Sequence, residues 1–190
     1  MLKMKTGQMH ILGLFIDYKN KNLINKLKFL QEKRANRNIQ FINEFNKLGF
    51  NISLEELKQI SGKDSISKPH FALLFLKKGY IKEKSEIFDK YFNKPPFTEI
   101  ENFSYTAREV ISLIKETGGL AILAHPQSLE LDINSLEQKI IEFKKYGLDG
   151  LECYHSKQSF EEMKQFKQLA QKLNLLISKG SDYHRTNCQT

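Results

Sequence analysis

Cysteine is scarce in this chain, which holds Cys153 and Cys188 and no others among its 190 residues. Two cysteines cannot build a disulfide framework, and the lack of a Cys-x-x-Cys pair excludes the usual thiolate zinc site. Long hydrophobic runs are also absent, because no apolar stretch approaches the roughly 18 residues of a membrane-spanning helix. The first ten residues lack the apolar core of a secretory signal. We therefore expect a cytoplasmic protein with reduced thiols and no membrane partner.

The positive charge is concentrated in one part of the chain. The formal net charge is +8, and residues 18–103 hold 17 Lys and Arg against 10 Asp and Glu. This excess has two alternative interpretations, a solvated lysine-rich surface or a surface that attracts a phosphate-bearing substrate. The sequence leaves both explanations open.

Residues 18–103 have the pattern of an all-helical segment. Apolar residues recur at helical spacing from residue 21 up to Gly49. A second helix is predicted after Ser53, which has capping-box spacing to Glu56, and a third has Pro69 in its first turn. One more short helix is predicted near residues 87–91. The stripe expected to be buried in the first helix contains Leu23, Leu27, Leu30, Ile39, Phe41, Ile42 and Phe45.

The rest of the chain alternates between strands and helices. A short apolar stretch at 8–17 predicts a first buried strand, and LAILA, GLECY and LLIS predict three more. Helices are expected between them, with capping boxes at Thr106 and Ser159 and a third helix at 135–146. Such alternation predicts an α/β fold with parallel strands.

Histidine follows three of these strands at regular intervals. His125 and His155 are 30 residues apart, and His155 and His184 are 29 apart, which is the length of a βα repeat. Because parallel strands end at one face of the sheet, we expect the three histidines to lie together there. Ligands bind at this face in α/β folds.

The stretch GSDYH places Asp182 and His184 two residues apart. In extended backbone, both side chains project to the same side. A carboxylate and an imidazole suit Mn²⁺, Fe²⁺ or Zn²⁺, and His125 from the neighbouring repeat would give three ligands. A hydrogen-bonded pair at a strand end is the alternative for Asp182 and His184 taken alone. Three histidine-bearing strand ends favour the metal site.

Five segments together resemble the PHP (polymerase and histidinol phosphatase) family of phosphoesterases. The similarity is strongest to the subgroup of nucleoside 3′,5′-bisphosphate phosphatases and 5′ to 3′ exoribonucleases that act on short RNA. It runs in the same order from about residue 7 to residue 184. The segments are HILGLFID, SKPHFALLFLKKGYI, GGLAILAHP, GLDGLECYH and GSDYH.

The resemblance implies a partial, distorted (β/α)7 barrel. Residues 1–17 and 104–190 would form the incomplete barrel domain, and 18–103 would be a helical insertion that acts as a lid. It also implies up to three divalent metal ions at the carboxyl ends of the strands, with Mn²⁺ expected first and Zn²⁺ or Fe²⁺ as alternatives. The metal ligands carried over by position are His10, His125, Asp182 and His184.

The resemblance also implies contacts to substrate, a phosphorylated small molecule or a short nucleic acid. His70 lies in the position of the subgroup's Arg-Pro-His element, where Lys68 replaces the arginine and loses its bidentate fork. His155 and Arg185 are further candidate substrate contacts. A backbone-bonded histidine and an exposed tail residue are the respective alternatives.

The sequence departs from the family pattern upstream of His10. Family members carry a His-x-His strand, an Asp, another His and a bridging Glu before that position, whereas residues 1–9 contain no Asp, Glu or His. The segment RTNCQT also replaces the family's Gly after the last histidine. We therefore expect a fragment of the fold with little or no phosphatase activity of its own.

Two other functions remain open at this stage. The chain could need a complementing amino-terminal fragment that bears the missing His-x-His. Alternatively, the helices near 53–60 and 69–78 could form a basic helix-turn-helix that binds DNA. The second helix argues against this, because PHFALLFLKK is apolar where polar base-reading residues are needed.

Overall fold

The structure is a computed structural model that describes residues 9–62 and 65–182. It contains four strands and six α-helices in those ranges, with a π-helical turn at Phe88–Phe92 and a 3₁₀ turn at Pro126–Leu129. The elements in chain order are β1 (Ile11–Leu14), α1 (Lys21–Lys47), α2 (Leu54–Ser61), α3 (Lys68–Lys77), α4 (Ala107–Glu116), β2 (Leu120–Leu123), α5 (Ile133–Tyr146), β3 (Gly150–His155), α6 (Phe160–Lys172) and β4 (Leu176–Gly180).

The four strands form one sheet in the order β1-β2-β3-β4. β2, β3 and β4 are parallel, so the predicted α/β fold with parallel strands is confirmed. β1 runs antiparallel to β2, with Ile11 opposite Leu123 and Leu14 opposite Leu120. The start of β1 therefore lies beside the end of β2.

The described residues divide into two compact units. Unit 1 contains the described residues up to Leu23 and from Tyr105 onward, and unit 2 contains Ile24–Ser104. The assignment of residues 1–17 and 104–190 to a barrel domain, and of 18–103 to a lid, stays a prediction. Within the described residues, no helix is both long enough and apolar enough to cross a membrane.

The cores of the two units differ in composition. Unit 1 packs its sheet against helices α4, α5 and α6 through a mainly aliphatic core. Unit 2 is held by a cluster of phenylalanines, and the ring of Phe45 lies within 4.4–6.0 Å of six other aromatic rings. The fully buried phenylalanines of unit 2 are Phe41, Phe45, Phe71, Phe75 and Phe92.

Capping explains where most helices begin. Ser53, Thr106 and Ser159 each accept a hydrogen bond from the third residue of their helix, whose glutamate side chain accepts one in return from the cap backbone. All three predicted capping boxes are thus confirmed. Gly147 ends α5 with φ 104°, which glycine adopts without strain.

Some predicted boundaries and faces were wrong. α5 begins at Ile133 rather than Ser135, because the Asp132 side chain caps the backbone N–H groups of Asn134 and Ser135. In α1, Leu27 and Ile39 are about half exposed, so only part of the predicted stripe is buried. The first strand is also shorter than 8–17, and Leu12 is 40% exposed.

Candidate functional site

The antiparallel pairing of β1 brings His10 to His125. The carbonyl oxygen of His10 accepts a hydrogen bond from the Ala124 backbone N–H at 3.0 Å. His10 thereby sits next to the end of β2, where His125 follows. Nδ1 of His10 and Nε2 of His125 are 2.9 Å apart, and the two rings meet edge to face.

His125 is held at three points. Its backbone N–H donates to Oε2 of Glu152 at 2.7 Å, and its Nδ1 lies 2.8 Å from Oγ of Ser128. Its Nε2 is the atom that faces His10. The backbone of His125 has φ 27°, an unusual value for a residue other than glycine. The surrounding contacts stabilise this conformation, and a strained backbone held by its neighbours is typical of functional positions.

The His10–His125 contact needs a proton or a cation to join its two nitrogens. Two imidazole lone pairs cannot face each other at 2.9 Å without repulsion, so either one nitrogen donates a proton to the other or both bind a cation that lies off the line between them. Imidazole nitrogens suit a borderline divalent ion, and the donor chemistry fits one. Nevertheless, residues 9–62 and 65–182 contain no group of three or more His, Cys, Asp or Glu that could enclose a metal ion.

Glu152 is a site residue that the sequence reasoning missed. It is 3% exposed in the middle of β3. Its carboxylate lies next to Gly180, the last residue of β4. A Cβ added at Gly180 would lie 2.0 Å from Oε1 of Glu152. Burial, together with the Glu152 charge, raises the pKa of the neighbouring Cys153 thiol to about 11. An acid between Leu151 and Cys153 in an otherwise apolar strand was the available signal.

His155 ends β3 beside His125. It is 3% exposed, and the centroids of the two rings are 5.8 Å apart. His10, His125 and His155 thus form one group, which we call the imidazole cluster. The expectation that His125 and His155 lie together at strand ends is met by this geometry, while their roles stay a prediction.

The carboxyl end of β4 differs from the expected extended Asp-x-His. β4 ends at Gly180, and Asp182 has φ 48°, in the left-handed region. The argument that an extended backbone aims Asp182 and His184 to one side therefore does not hold at Asp182, because the strand has already ended. His184 and Arg185 lie outside the described residues.

Unit 2 contains a second group of candidate residues. Lys68 and Arg37 both stack on the ring of Phe41, at 5.6 and 5.5 Å from its centroid, and we call them the cation pair. Burial lowers the pKa of Lys68, and the charge of Arg37 lowers it further. Within the described residues, no carboxylate forms an ion pair with either side chain.

The contacts of Arg37 and His70 complete this picture. The Arg37 guanidinium donates to the side-chain oxygens of Asn102 and Asn38, while its buried Nε has no hydrogen-bond partner among the described residues. His70 caps α3, with its Nδ1 accepting the Ser67 backbone N–H at 3.0 Å. Arg37 was not anticipated from the sequence, where it is one of several basic residues in a helix.

Comparison with known proteins gives relatives of one chemical class. The 5′-3′ exoribonuclease Rnm of Escherichia coli is 28% identical over 179 residues, which are 94% of this chain and 61% of that protein. The 3′,5′-nucleoside bisphosphate phosphatase of Chromobacterium violaceum is 27% identical, over 92% of this chain and 62% of the relative. The resemblance to PHP-family phosphoesterases is confirmed. No protein-family model matches the chain.

A solved structure also matches this chain. An amidohydrolase from Chromobacterium violaceum, with bound sulfate and no metal, superposes with a TM-score of 0.80 at 26% identity. The match covers 98% of this chain and 66% of that structure. The chain spans about three fifths of the length of the curated relatives it matches, and it shares the corresponding part of the fold of that solved structure.

Proposed function

We propose that this chain carries part of the active site of a metal-dependent PHP phosphoesterase in the cytoplasm. Its substrates would be phosphate esters of nucleotides or short RNA, with nucleoside 3′,5′-bisphosphates as the first candidates. The observation that carries the proposal is the 2.9 Å approach of His10 and His125 in a chain whose relatives are a phosphatase and exoribonucleases.

His10 and His125 are the proposed nitrogen ligands of a divalent metal. Asp182 and His184 remain ligands that the family resemblance implies. A bound Mn²⁺, Zn²⁺ or Fe²⁺ would supply a water of lowered pKa and neutralise charge on the phosphoryl oxygens. Glu152 and Ser128 fix the backbone and the Nδ1 side of His125, so that Nε2 keeps its direction toward His10. Such orientation of a ligand by its hydrogen bonds is common around metals.

The cation pair and His70 are the proposed phosphate contacts of unit 2. Two half-buried cations that repel each other and form no ion pair with a described carboxylate are best neutralised by an anion. A guanidinium and an ammonium both suit phosphate oxygens, and Arg37 supplies the fork that Lys68 lacks. His155 and Arg185 are kept as candidate substrate contacts.

The helix-turn-helix alternative has less support. α3 would be the recognition helix, yet it buries Phe71, Ala72, Leu74 and Phe75 in the core of unit 2. A helix used in this way cannot offer a polar face to base edges. A complementing amino-terminal fragment remains a prediction of the sequence alone.

Calorimetric binding of a nucleoside 3′,5′-bisphosphate to the 190-residue chain tests the proposal. We expect binding that requires Mn²⁺ and weakens by about tenfold or more in His125→Ala, the equivalent of ~1.4 kcal/mol. Phe160→Ala is the matched control, because Phe160 is 79% exposed. Affinity that is unchanged in His125→Ala would rule out a substrate site at the imidazole cluster.

Hydrolysis is expected to be slow in the same protein. Two converging imidazoles are few ligands for a reaction that needs metal-bound water and charge neutralisation. The assay is release of nitrophenol from bis(p-nitrophenyl) phosphate with added Mn²⁺. Fast turnover that His125→Ala abolishes would overturn the expectation of low activity and leave the site assignment in place.

A further inference from the structure

The two ring nitrogens of His155 have different surroundings. Nδ1 accepts a hydrogen bond from the Lys157 backbone N–H at 3.1 Å. Nε2 is buried and has no hydrogen-bond partner among the described residues. A buried polar atom without a partner is rare in folded proteins, and a bound water, ion or ligand often supplies the missing partner.

The Lys157 contact fixes the tautomer of the ring. A backbone N–H can only donate, so Nδ1 must present its lone pair and carries no proton. The single proton of the neutral imidazole then resides on Nε2. His155 is therefore a neutral ring whose buried Nε2–H points away from the atoms that hold Nδ1.

Two neighbouring amides agree with this tautomer. The side-chain nitrogen of Gln127 lies 3.5 Å from Nδ1, and the side-chain oxygen of Gln127 accepts from Nε2 of Gln158 at 2.8 Å. The oxygen and nitrogen of a glutamine side chain can usually be exchanged without a visible change in the structure. Here the backbone N–H of Lys157 requires Nδ1 of His155 to be an acceptor, so Gln127 must turn its nitrogen toward Nδ1 and its oxygen toward Gln158. Reversing both amides would aim an oxygen at a nitrogen that has no proton to give.

We propose that His155 is a neutral hydrogen-bond donor that binds an anionic phosphate oxygen through Nε2–H and is not a metal ligand. A metal would need the Nε2 lone pair, which carries the proton. A phosphate oxygen needs a donor, and the His155 ring that carries Nε2–H lies beside the ring of His125. The choice of phosphate as ligand rests on the proposed function, whereas the tautomer rests on the Lys157 contact alone.

Nitrogen-15 NMR of the histidine-labelled chain tests the tautomer, with the His155→Gln spectrum assigning the signal. We expect an unprotonated Nδ1 and a protonated Nε2 at His155. Added Zn²⁺ is expected to alter the ring nitrogens of His10 and His125 and to leave the Nε2 proton of His155 in place. A protonated Nδ1, or loss of the Nε2 proton on Zn²⁺ addition, would overturn the proposal.

Titration with inorganic phosphate, without added metal, tests the ligand. We expect the Nε2–H signal of His155 to shift and the phosphate affinity to fall about tenfold in His155→Asn. His155→Gln, whose amide nitrogen reaches the Nε2 position, should retain most of the affinity. Equal loss in both variants, with the fold intact by circular dichroism, would contradict a donor at Nε2.

The outcomes separate this inference from the proposed function. Bisphosphate binding in the presence of Zn²⁺ that leaves the His155 signal unmoved would refute the donor role and keep the function. A phosphate-dependent shift without any bisphosphate binding would support the donor and count against the nucleotide substrate.

Discussion

Unit 1 buries two histidines and one carboxylate within an aliphatic core, whereas unit 2 holds two cations against an aromatic core. In unit 1 Glu152, Ser128 and the two glutamines provide most of the hydrogen bonds, and Nε2 of His155 and Oε1 of Gln158 have no hydrogen-bond partner among the described residues. In unit 2 Lys68 stacks on Phe92 and Phe41, while Arg37 stacks on Phe41 and donates to two asparagine oxygens. The His10–His125 contact in unit 1 suits a metal ion, and the cation pair in unit 2 suits an anion.

The same hydrogen bond to a histidine ring occurs in both units. His70 and His155 each accept a backbone N–H at Nδ1, which leaves the ring proton on Nε2. His70 does so as part of a helix cap, and His155 does so at the end of a strand. Two unrelated local structures thus produce the same neutral donor, so the tautomer follows from local backbone geometry rather than from the surrounding core.

The largest expected effect comes from removing Phe45, the centre of the aromatic core of unit 2. Phe45 is fully buried and touches rings from several segments of unit 2, so Phe45→Ala should cost about 3–5 kcal/mol. Ile140→Ala in the aliphatic core of unit 1 should cost about 2–5 kcal/mol. Urea unfolding followed by circular dichroism measures both. A loss below about 1 kcal/mol for Phe45→Ala would mean that the phenylalanine cluster adds little.

Local signals in the sequence predicted the elements of both units well. Ser53, Thr106 and Ser159 specify helix starts because a cap depends only on residues three positions apart. α5 was predicted two residues late because Asp132 and Ser135 are both acceptable caps. Only the backbone geometry decides between them.

Sequence reasoning located the imidazole cluster less completely. The spacing of His125 and His155 follows from the βα repeat, but the contact to His10 depends on β1 being antiparallel, which no local signal specifies. Glu152 was missed because a strand has two faces and sequence does not show which one is covered. Arg37 was missed because its partner Lys68 is 31 positions away.

A smaller test concerns the polar interior of unit 1. Gly180→Ala places a methyl group against Oε1 of Glu152, so the carboxylate must move and the bond to the His125 backbone N–H should weaken. We expect a loss of about 1–3 kcal/mol in urea unfolding. In a Glu152→Ala background the same change should cost clearly less. Equal costs in both backgrounds would show that the clash is not with Glu152.

The cation pair gives a test in which stability and binding change in opposite directions. The lowered pKa of Lys68 means that folding disfavours its charged form, so at neutral pH the charge destabilises the folded state. Lys68→Met keeps the stem and removes the charge, and it should raise the free energy of unfolding by no more than about 1 kcal/mol. Pyrophosphate affinity, measured by calorimetry, should fall about tenfold.

Lys94→Met is the control for Lys68→Met, because Lys94 lies on the exposed turn of the same unit. Its effect on pyrophosphate affinity should be less than about twofold. Similar losses in both variants would indicate diffuse attraction by the basic surface instead of a defined anion site. That outcome would also remove the contrast between the two units.

The smallest expected effect concerns Glu86, a carboxylate of unit 2 that forms an ion pair with Lys90 and not with the cation pair. Lys90 and the backbone N–H groups of Lys82 and Glu83 lower the pKa of Glu86 to about 2. A depressed carboxyl pKa contributes stability above the ordinary value of 4.5, and this contribution is lost as the pH falls toward 2. Carbon-13 NMR of the Glu86 carboxyl should show the low pKa in the wild type and a higher one in Lys90→Met. A wild-type pKa near 4.5 would mean that Glu86 does not form a stable ion pair with Lys90. Glu86 would then be a carboxylate of unit 2 without a fixed cationic partner.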